Sequence, residues 1–319
     1  MDIFEVKHLK VEFPSDSVIR PAVDDISFSV EENRTVAIVG ESGSGKTVSC
    51  LSAIGLVPGR GKVTSGEVFF KGENLLTTDR NCLDEIHGKE IAVIFQDPTT
   101  SLNPVHRVGG QIEEVLQIHQ QRKSENPKVE TLQLLKQVGI ADPSVRARNY
   151  PHQLSGGMNQ RIMIAMGIAC KPQLLIADEP TTALDLTIQA QILRLLHDLK
   201  MKNELSLLII THDFGIVAEI ADEVVVMYAG RIVENAAVMD IFDHPAHPYT
   251  KGLIDAMPKF GNKTMKLATI PGFLPPPNEI YKGCIFAPRC DYRLEICDEE
   301  RPPMDTVSLR HQVACFNPR

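Results

Sequence analysis

Eight consecutive residues, Gly40-Glu41-Ser42-Gly43-Ser44-Gly45-Lys46-Thr47, place three glycines, a cation and a hydroxyl at a fixed spacing. Gly40, Gly43 and Gly45 carry no Cβ, so the chain through Ser42 and Ser44 can wind tightly and turn successive N–H groups toward an anion. Lys46 is a flexible point charge suited to β- and γ-phosphates, and Thr47 offers an oxygen to Mg²⁺. A helix beginning near Lys46 adds its positive end. This is the pattern of a phosphate loop for a nucleoside triphosphate. A second group completes the chemistry. Asp178 and Glu179 close the apolar run Leu174-Leu175-Ile176-Ala177, where uncompensated charge is costly. Asp178 suits Mg²⁺, and Glu179 is free to polarise an attacking water.

Other candidates are weaker taken singly. His212 ends Leu207-Leu208-Ile209-Ile210-Thr211, a place where a histidine is more often a hydrogen-bonded core residue. Gln96 ends the run Ile91-Ala92-Val93-Ile94-Phe95, read as a continuous strand. Ser155 caps a helix opened by Gly156-Gly157, a start that again suits a phosphate. Phe13 offers a ring that could stack on a purine or fill a strand end.

The elements that must position these residues follow from pattern. Residues 3–13 alternate and read as an edge strand of an antiparallel layer. Residues 22–30 give a second alternating strand, and Val36-Ala37-Ile38-Val39 is the buried strand that feeds the loop. The helix after it is expected to run to about Leu56, with Val57-Pro58-Gly59 ending it. Gly66 to Gly72 reads as a hairpin arm. From about residue 105 to 170 the period becomes helical, which predicts an all-helical insertion in an α/β core. Asp185 begins an amphipathic helix with Ile188, Ile192, Leu195, Leu196 and Leu199 on its core side. Val224 to Met227 and Ile232-Val233 are expected to finish the sheet.

The bulk properties set limits. A chain of 319 residues with formal charge −8 and no basic block argues against nucleic acid as the main partner. No apolar run approaches the ~18 residues that span a membrane, and Met1-Asp2-Ile3-Phe4-Glu5 does not open a signal peptide, so a cytosolic chain is expected.

Of seven cysteines, Cys50, Cys82 and Cys170 are scattered and read as small core fillers, whereas Cys284, Cys290, Cys297 and Cys315 crowd together near the end. The Pro-rich text around the last four builds little core of its own, and a metal would substitute for that core. Their intervals match no zinc-finger spacing; four thiolates permit structural Zn²⁺ or an iron–sulfur cluster, and four unligated thiols are the plain alternative. His244 and His247 each precede a proline and read as a rigid turn that packs the tail.

Together these residues resemble an ATP-binding cassette ATPase over about residues 3–260. The motifs stand in the family's order: Gly40–Thr47, Gln96, the signature Leu154-Ser155-Gly156-Gly157-Met158, Asp178-Glu179, Ala183-Leu184-Asp185 and His212. The resemblance implies a P-loop core sheet, an antiparallel β subdomain and an inserted helical subdomain at about residues 97–170, all within residues 1–260, followed by a cysteine-rich extension at 261–319. It implies two cassettes sandwiching two ATP molecules head to tail, so that Ser155 and Gly157 reach ATP held by the partner chain. Glu179 would then be the general base, His212 would steady the γ-phosphate, Gln96 would sense Mg²⁺ and water while facing the membrane subunit, and Phe13 matches the adenine-stacking position.

Phe95-Gln96-Asp97-Pro98, Thr100-Ser101-Leu102-Asn103-Pro104, Met158 and His247-Pro248-Tyr249-Thr250 narrow the resemblance to dipeptide, oligopeptide and nickel importers. The tail resembles the longer chain of their two ATPases and so implies a [4Fe–4S] cluster on its four cysteines, with zinc as runner-up. Two transmembrane permease subunits, a different second ATPase chain, an extracytoplasmic solute-binding protein and a peripheral place on the cytoplasmic membrane face are implied in the same way. A soluble clamp protein acting on ribosomes or DNA is the alternative from another class. The cysteines also permit redox control, although no coupling path is visible in the sequence. Asn159 replaces the family's usual Arg, and Asn33-Arg34 replaces a common Gly-Glu.

Overall fold

The strand Thr35–Val39 buries all five of its side chains, as a strand covered on both faces must. It runs parallel to Glu223–Tyr228, with Val36 opposite Glu223 and Val39 opposite Val226. The computed structural model describes residues 1–14, 21–119, 126–182, 184–257, 269–276, 279 and 281–319. These fall into two units, one of residues 2–30, 35–76 and 211–319, the other of Met1 with 31–34 and 77–210.

In the first unit the sheet continues antiparallel from Glu223–Tyr228 to Arg231–Ala237, then to His311–Val313 and Asp305–Ser308. The sheet was expected to finish at Ile232-Val233; the tail instead adds two short strands, too brief to show a period. A separate four-stranded sheet is ordered Val23–Glu31, Asp2–Glu12, Lys62–Phe70, Glu73–Asn74. The first strand is therefore internal, not an edge: it pairs with Lys62–Phe70 through Phe4 opposite Phe70 and Val6 opposite Val68. Alternation reports which side chains are buried and says nothing of hydrogen-bonded neighbours, hence the difference.

The helix Lys46–Ala53 ends earlier than expected. Gly55 adopts φ +79°, and its N–H reaches Ser52 O while Leu56 N–H reaches Leu51 O. That paired closure is a Schellman cap, so Gly55 stops the helix before Val57-Pro58-Gly59.

The second unit holds Ile91–Ile94, Leu174–Asp178 and, as far as Ile210, the strand Ser206–Thr211, all parallel, with Leu174–Asp178 in the middle and wholly buried. The strand expected to reach Gln96 stops at Ile94, whose partner Ala177 is the last in register; Phe95 is exposed beyond it. The helices Val108–His119, Pro127–Gln137 and Gly156–Ile168 pack together through buried Ile112, Leu116, Leu135 and Ile162, which supplies the helical insertion that the period predicts.

The tail is anchored by a buried carboxylate. Glu234 is fully buried and accepts hydrogen bonds from Ala246 N (2.7 Å), His247 N (2.9 Å) and His311 Nε2 (2.8 Å). His247 in turn caps the helix Pro248–Asp255, its Nδ1 accepting from Tyr249 N at 3.0 Å. This is the rigid His-Pro turn expected from the sequence.

Burial pushes the His247 imidazole from 6.5 down to about 3. As pH falls below about 6.5 the unfolded chain takes up this proton first, so stability present above that pH is lost by about 1.4 kcal/mol per unit until the folded ring also titrates. His247→Asn keeps a capping acceptor but cannot titrate there. Its Tm should fall less steeply than that of the wild type between about pH 6.5 and 5. Parallel falls in a pH series of thermal melts would assign the acid sensitivity to other groups.

Candidate active site

In the first unit, the chain leaves Thr35–Val39 at Gly40, where a Cβ would stand 2.1 Å from Met227 O. At Gly45 the backbone has φ +100° and a Cβ would meet Ala22 O at 2.6 Å. Both positions therefore require glycine. Lys46 is buried, and its Nζ donates to Gly40 O (2.8 Å) and Glu41 O (3.0 Å), so the loop's own carbonyls hold the ammonium across it. Thr47 follows, half-buried in the first turn of the helix, while Ser42 and Gly43 are exposed. Ser44 Oγ is buried with no hydrogen-bond partner among the described residues. An orphaned hydroxyl inside a tight loop of N–H groups fits a polyanion binding there. Phe13 is half-buried just beyond Asp2–Glu12, its ring against Gly61. His212 is exposed after the end of Ser206–Thr211.

In the second unit, Leu174–Asp178 carries Asp178 into a buried position, 4% exposed. Glu179 follows with φ +44°, a left-handed conformation that a non-glycine residue holds only when its surroundings fix it. They do so from both ends. Glu179 N donates to Ile210 O at 2.9 Å, and its carboxylate accepts from Gln96 Nε2 (3.0 Å) and Thr182 Oγ1 (2.8 Å). The structure thus joins Gln96 to Glu179, two residues read separately in the sequence. It also adds Thr182, which the sequence reading missed; its only signal was a hydroxyl three residues after the carboxylate, in a Pro-Thr-Thr turn.

Ser155 caps Gly156–Ile168 as expected, with Oγ accepting from Met158 N at 3.3 Å. A Cβ on Gly157 would lie 2.7 Å from Ile188 Cγ2, so this glycine is also needed for packing. Asn159, the departure after the signature, donates from Nδ2 to Pro151 O at 3.0 Å and braces the turn before the helix. Asp185 caps Leu186–Asn203 by accepting from Ile188 N at 2.9 Å, while Ala183 lies outside the described residues.

The tail cysteines converge. Cys284, Cys290, Cys297 and Cys315 line one small cavity with Phe286, and Cys284 N donates to Cys297 O at 2.8 Å. All four are free thiols. Burial pushes Cys284 up to about 11 and raises Cys290 and Cys315 as well, the neighbouring cysteines adding to each shift. Among the described residues no group of three or more His, Cys, Asp or Glu is placed to hold a metal ion, so there is no geometry for a single zinc.

A family model described as ABC transporter matches residues 23–182, from the start of Val23–Glu31 through Thr182. The chain belongs to the ABC transporter family. A second model, the C-terminal region of oligopeptide/dipeptide transporters, matches residues 233–297. Among curated relatives, the dipeptide transport ATP-binding protein DppD of Haemophilus influenzae is 47% identical over 100% of this chain and 96% of its own length. The oligopeptide transport ATP-binding protein AppD of Bacillus subtilis is 45% identical over 98% and 96%. A solved dimeric ATP-binding cassette, MJ0796 bound to ADP and Pi in a post-hydrolysis state, superposes with TM-score 0.67 at 25% identity, covering 74% of this chain and 98% of that one.

This cassette is therefore an α/β ABC ATPase that hydrolyses ATP, with Mg²⁺ the expected companion ion. No helix among its described residues is long and apolar enough to cross a membrane.

Proposed function

We propose that this cassette powers the import of dipeptides or oligopeptides, working from the cytoplasmic membrane face on two separate permease subunits. The observation that carries the solute class is the match of residues 233–297 to the C-terminal region of oligopeptide/dipeptide transporters, alongside full-length relatives so named. The cassette pairs head to tail with a second ATPase subunit, a different chain, and is linked only indirectly, through the permeases, to an extracytoplasmic solute-binding protein.

Within it, Gly40 to Thr47 holds the ATP phosphates and Phe13 faces the adenine. Glu179 takes a proton from water as the water oxygen bonds to the γ-phosphorus and the bond to the bridging oxygen breaks. Its acceptance of hydrogen bonds from Gln96 and Thr182 supports that role, since both fix the carboxylate's direction. His212 steadies the γ-phosphate, and Ser155 with Gly157 contacts ATP on the partner chain. Thr47, Asp178 and Gln96 carry the oxygens that would suit Mg²⁺, which would neutralise the phosphate oxygens when bound.

The four tail cysteines hold a [4Fe–4S] cluster that staples the tail. Their convergence on one cavity supports this, since four cysteines are the ligand set of such a cluster. Protein prepared without oxygen should be brown and carry about four irons per chain; a colourless, iron-free preparation sinks the cluster.

The import reading is tested by uptake in cells whose only copy carries Glu179→Gln, offered labelled dipeptide, longer peptide and nickel. Loss of peptide entry alone supports it. Loss of nickel alone makes the chain a metal importer's ATPase, and entry of all three overturns the reading.

A further inference from the structure

Glu41 sits inside the phosphate loop and has no role in the chemistry above, yet every polar part of it is held. Its backbone N–H donates to Tyr249 Oη at 2.9 Å, and its carbonyl receives Lys46 Nζ at 3.0 Å. Its two carboxylate oxygens take the two ends of one guanidinium: Arg289 Nη2 to Oε1 and Nη1 to Oε2, each 3.0 Å. Such a two-point pair fixes direction as well as distance. Arg289 lies 248 residues away, in the tail, directly before Cys290.

The arginine is itself fully engaged. Its Nε donates to Pro271 O at 2.9 Å, Nη2 reaches Ile270 O at 3.4 Å and Nη1 reaches Tyr228 Oη at 3.3 Å. The guanidinium carbon stands 5.7 Å from the centre of the Tyr228 ring, and the side chain is only 7% exposed. Tyr228 and Tyr249 are fully buried and pack edge to face, 4.7 Å between centroids. A rigid aromatic base therefore carries a fixed fork, and the fork grips a residue of the loop.

We propose that Arg289 is a positioning residue for the phosphate loop: through Glu41 it holds the Gly40 and Glu41 carbonyls in place, and with them Lys46, before nucleotide arrives. The proposal rests on the reading that Gly40 to Thr47 takes the ATP phosphates. The clamp has two effects of the same sign. It keeps the loop from sampling forms that cannot bind, and it neutralises a carboxylate that would otherwise repel the triphosphate. Neither touches the attacking water, so the effect belongs in KM and not in kcat.

The test titrates ATP hydrolysis by the full chain in four variants: Arg289→Ala, Glu41→Ala, the double variant and Lys46→Ala. Arg289→Ala should raise KM for ATP on the order of 10-fold with kcat within about twofold, and Glu41→Ala, which loses the clamp but also the repelling carboxylate, should raise KM by less, about threefold, with kcat equally unchanged. The double variant should be no worse than either alone, because one interaction is lost in all three. Glu41 is half-buried at the loop end of the clamp, so Glu41→Ala carries the test even where Arg289→Ala fails to fold. Wild-type KM in Glu41→Ala or Arg289→Ala, beside a Lys46→Ala that no longer binds ATP, overturns the clamp alone. Multiplying effects in the double variant overturn it too. Normal ATP binding by Lys46→Ala overturns the loop reading, and the clamp with it.

Discussion

Glu179→Gln is expected to bind ATP normally and to turn it over about 10²–10⁴-fold more slowly, the usual worth of a positioned general base. The substitution isolates basicity. A glutamine carbonyl oxygen still accepts from Gln96 Nε2 and Thr182 Oγ1, which stand 3.0 Å and 2.8 Å from the carboxylate. Glutamine also bears the φ of +44° no worse than glutamate, and the N–H bond to Ile210 O is a backbone contact that no side chain alters. Loss of turnover in this variant therefore reports the proton acceptor and not a displaced strand end. Equilibrium ATP binding and steady-state hydrolysis on the same preparation separate the two quantities. Full activity would place the base elsewhere; loss of binding and turnover together would assign Glu179 to holding nucleotide.

Lys46→Ala has the other large effect, on binding itself. Removing a charged donor to phosphate costs about 1.5–3 kcal/mol, a 10- to 150-fold rise in Kd. The ATP-induced thermal shift magnifies this. With ATP at 100 times Kd, binding stabilises the fold by about 2.7 kcal/mol, and a hundredfold weaker site leaves about 0.4 kcal/mol at the same concentration. Melting curves with and without ATP should thus separate clearly for the wild type and nearly coincide for the variant. The nucleotide-free Tm should also fall, because Nζ bonds the buried Gly40 carbonyl and the part-buried Glu41 carbonyl, so the readout is the ATP-induced shift within each variant. A retained ATP shift would show that the ammonium does not meet the phosphates.

Features fixed by short-range interactions are legible in single stretches of the chain, and features fixed by long-range ones are not. Ser155 and Asp185 cap their helices by bonds to residues three positions on, so each cap is written in four consecutive letters. Asp178 and Glu179 stand at a strand end because the four residues before them, Leu174 to Ala177, are apolar enough to be buried on both faces. The helix end was misjudged for a local reason too: Gly55 in a left-handed conformation makes a cap earlier than the more conspicuous Pro58-Gly59. The internal place of Asp2–Glu12 is different in kind, because its neighbours are chosen by strands elsewhere in the chain.

The phosphate loop, the strand-end carboxylates and the helix caps are legible in short stretches of residues, because glycine geometry, β-branched runs and short-range caps act within a few residues. It takes the folded chain to bring Gln96 and Thr182 onto Glu179, to set Glu234 between the His247 turn and His311, and to gather four cysteines at one cavity. The folded chain alone joins Arg289 to Glu41. Single polar residues carry no period, and the contacts they make depend on where distant strands and turns bring their side chains, which becomes fixed only when the apolar core closes around them.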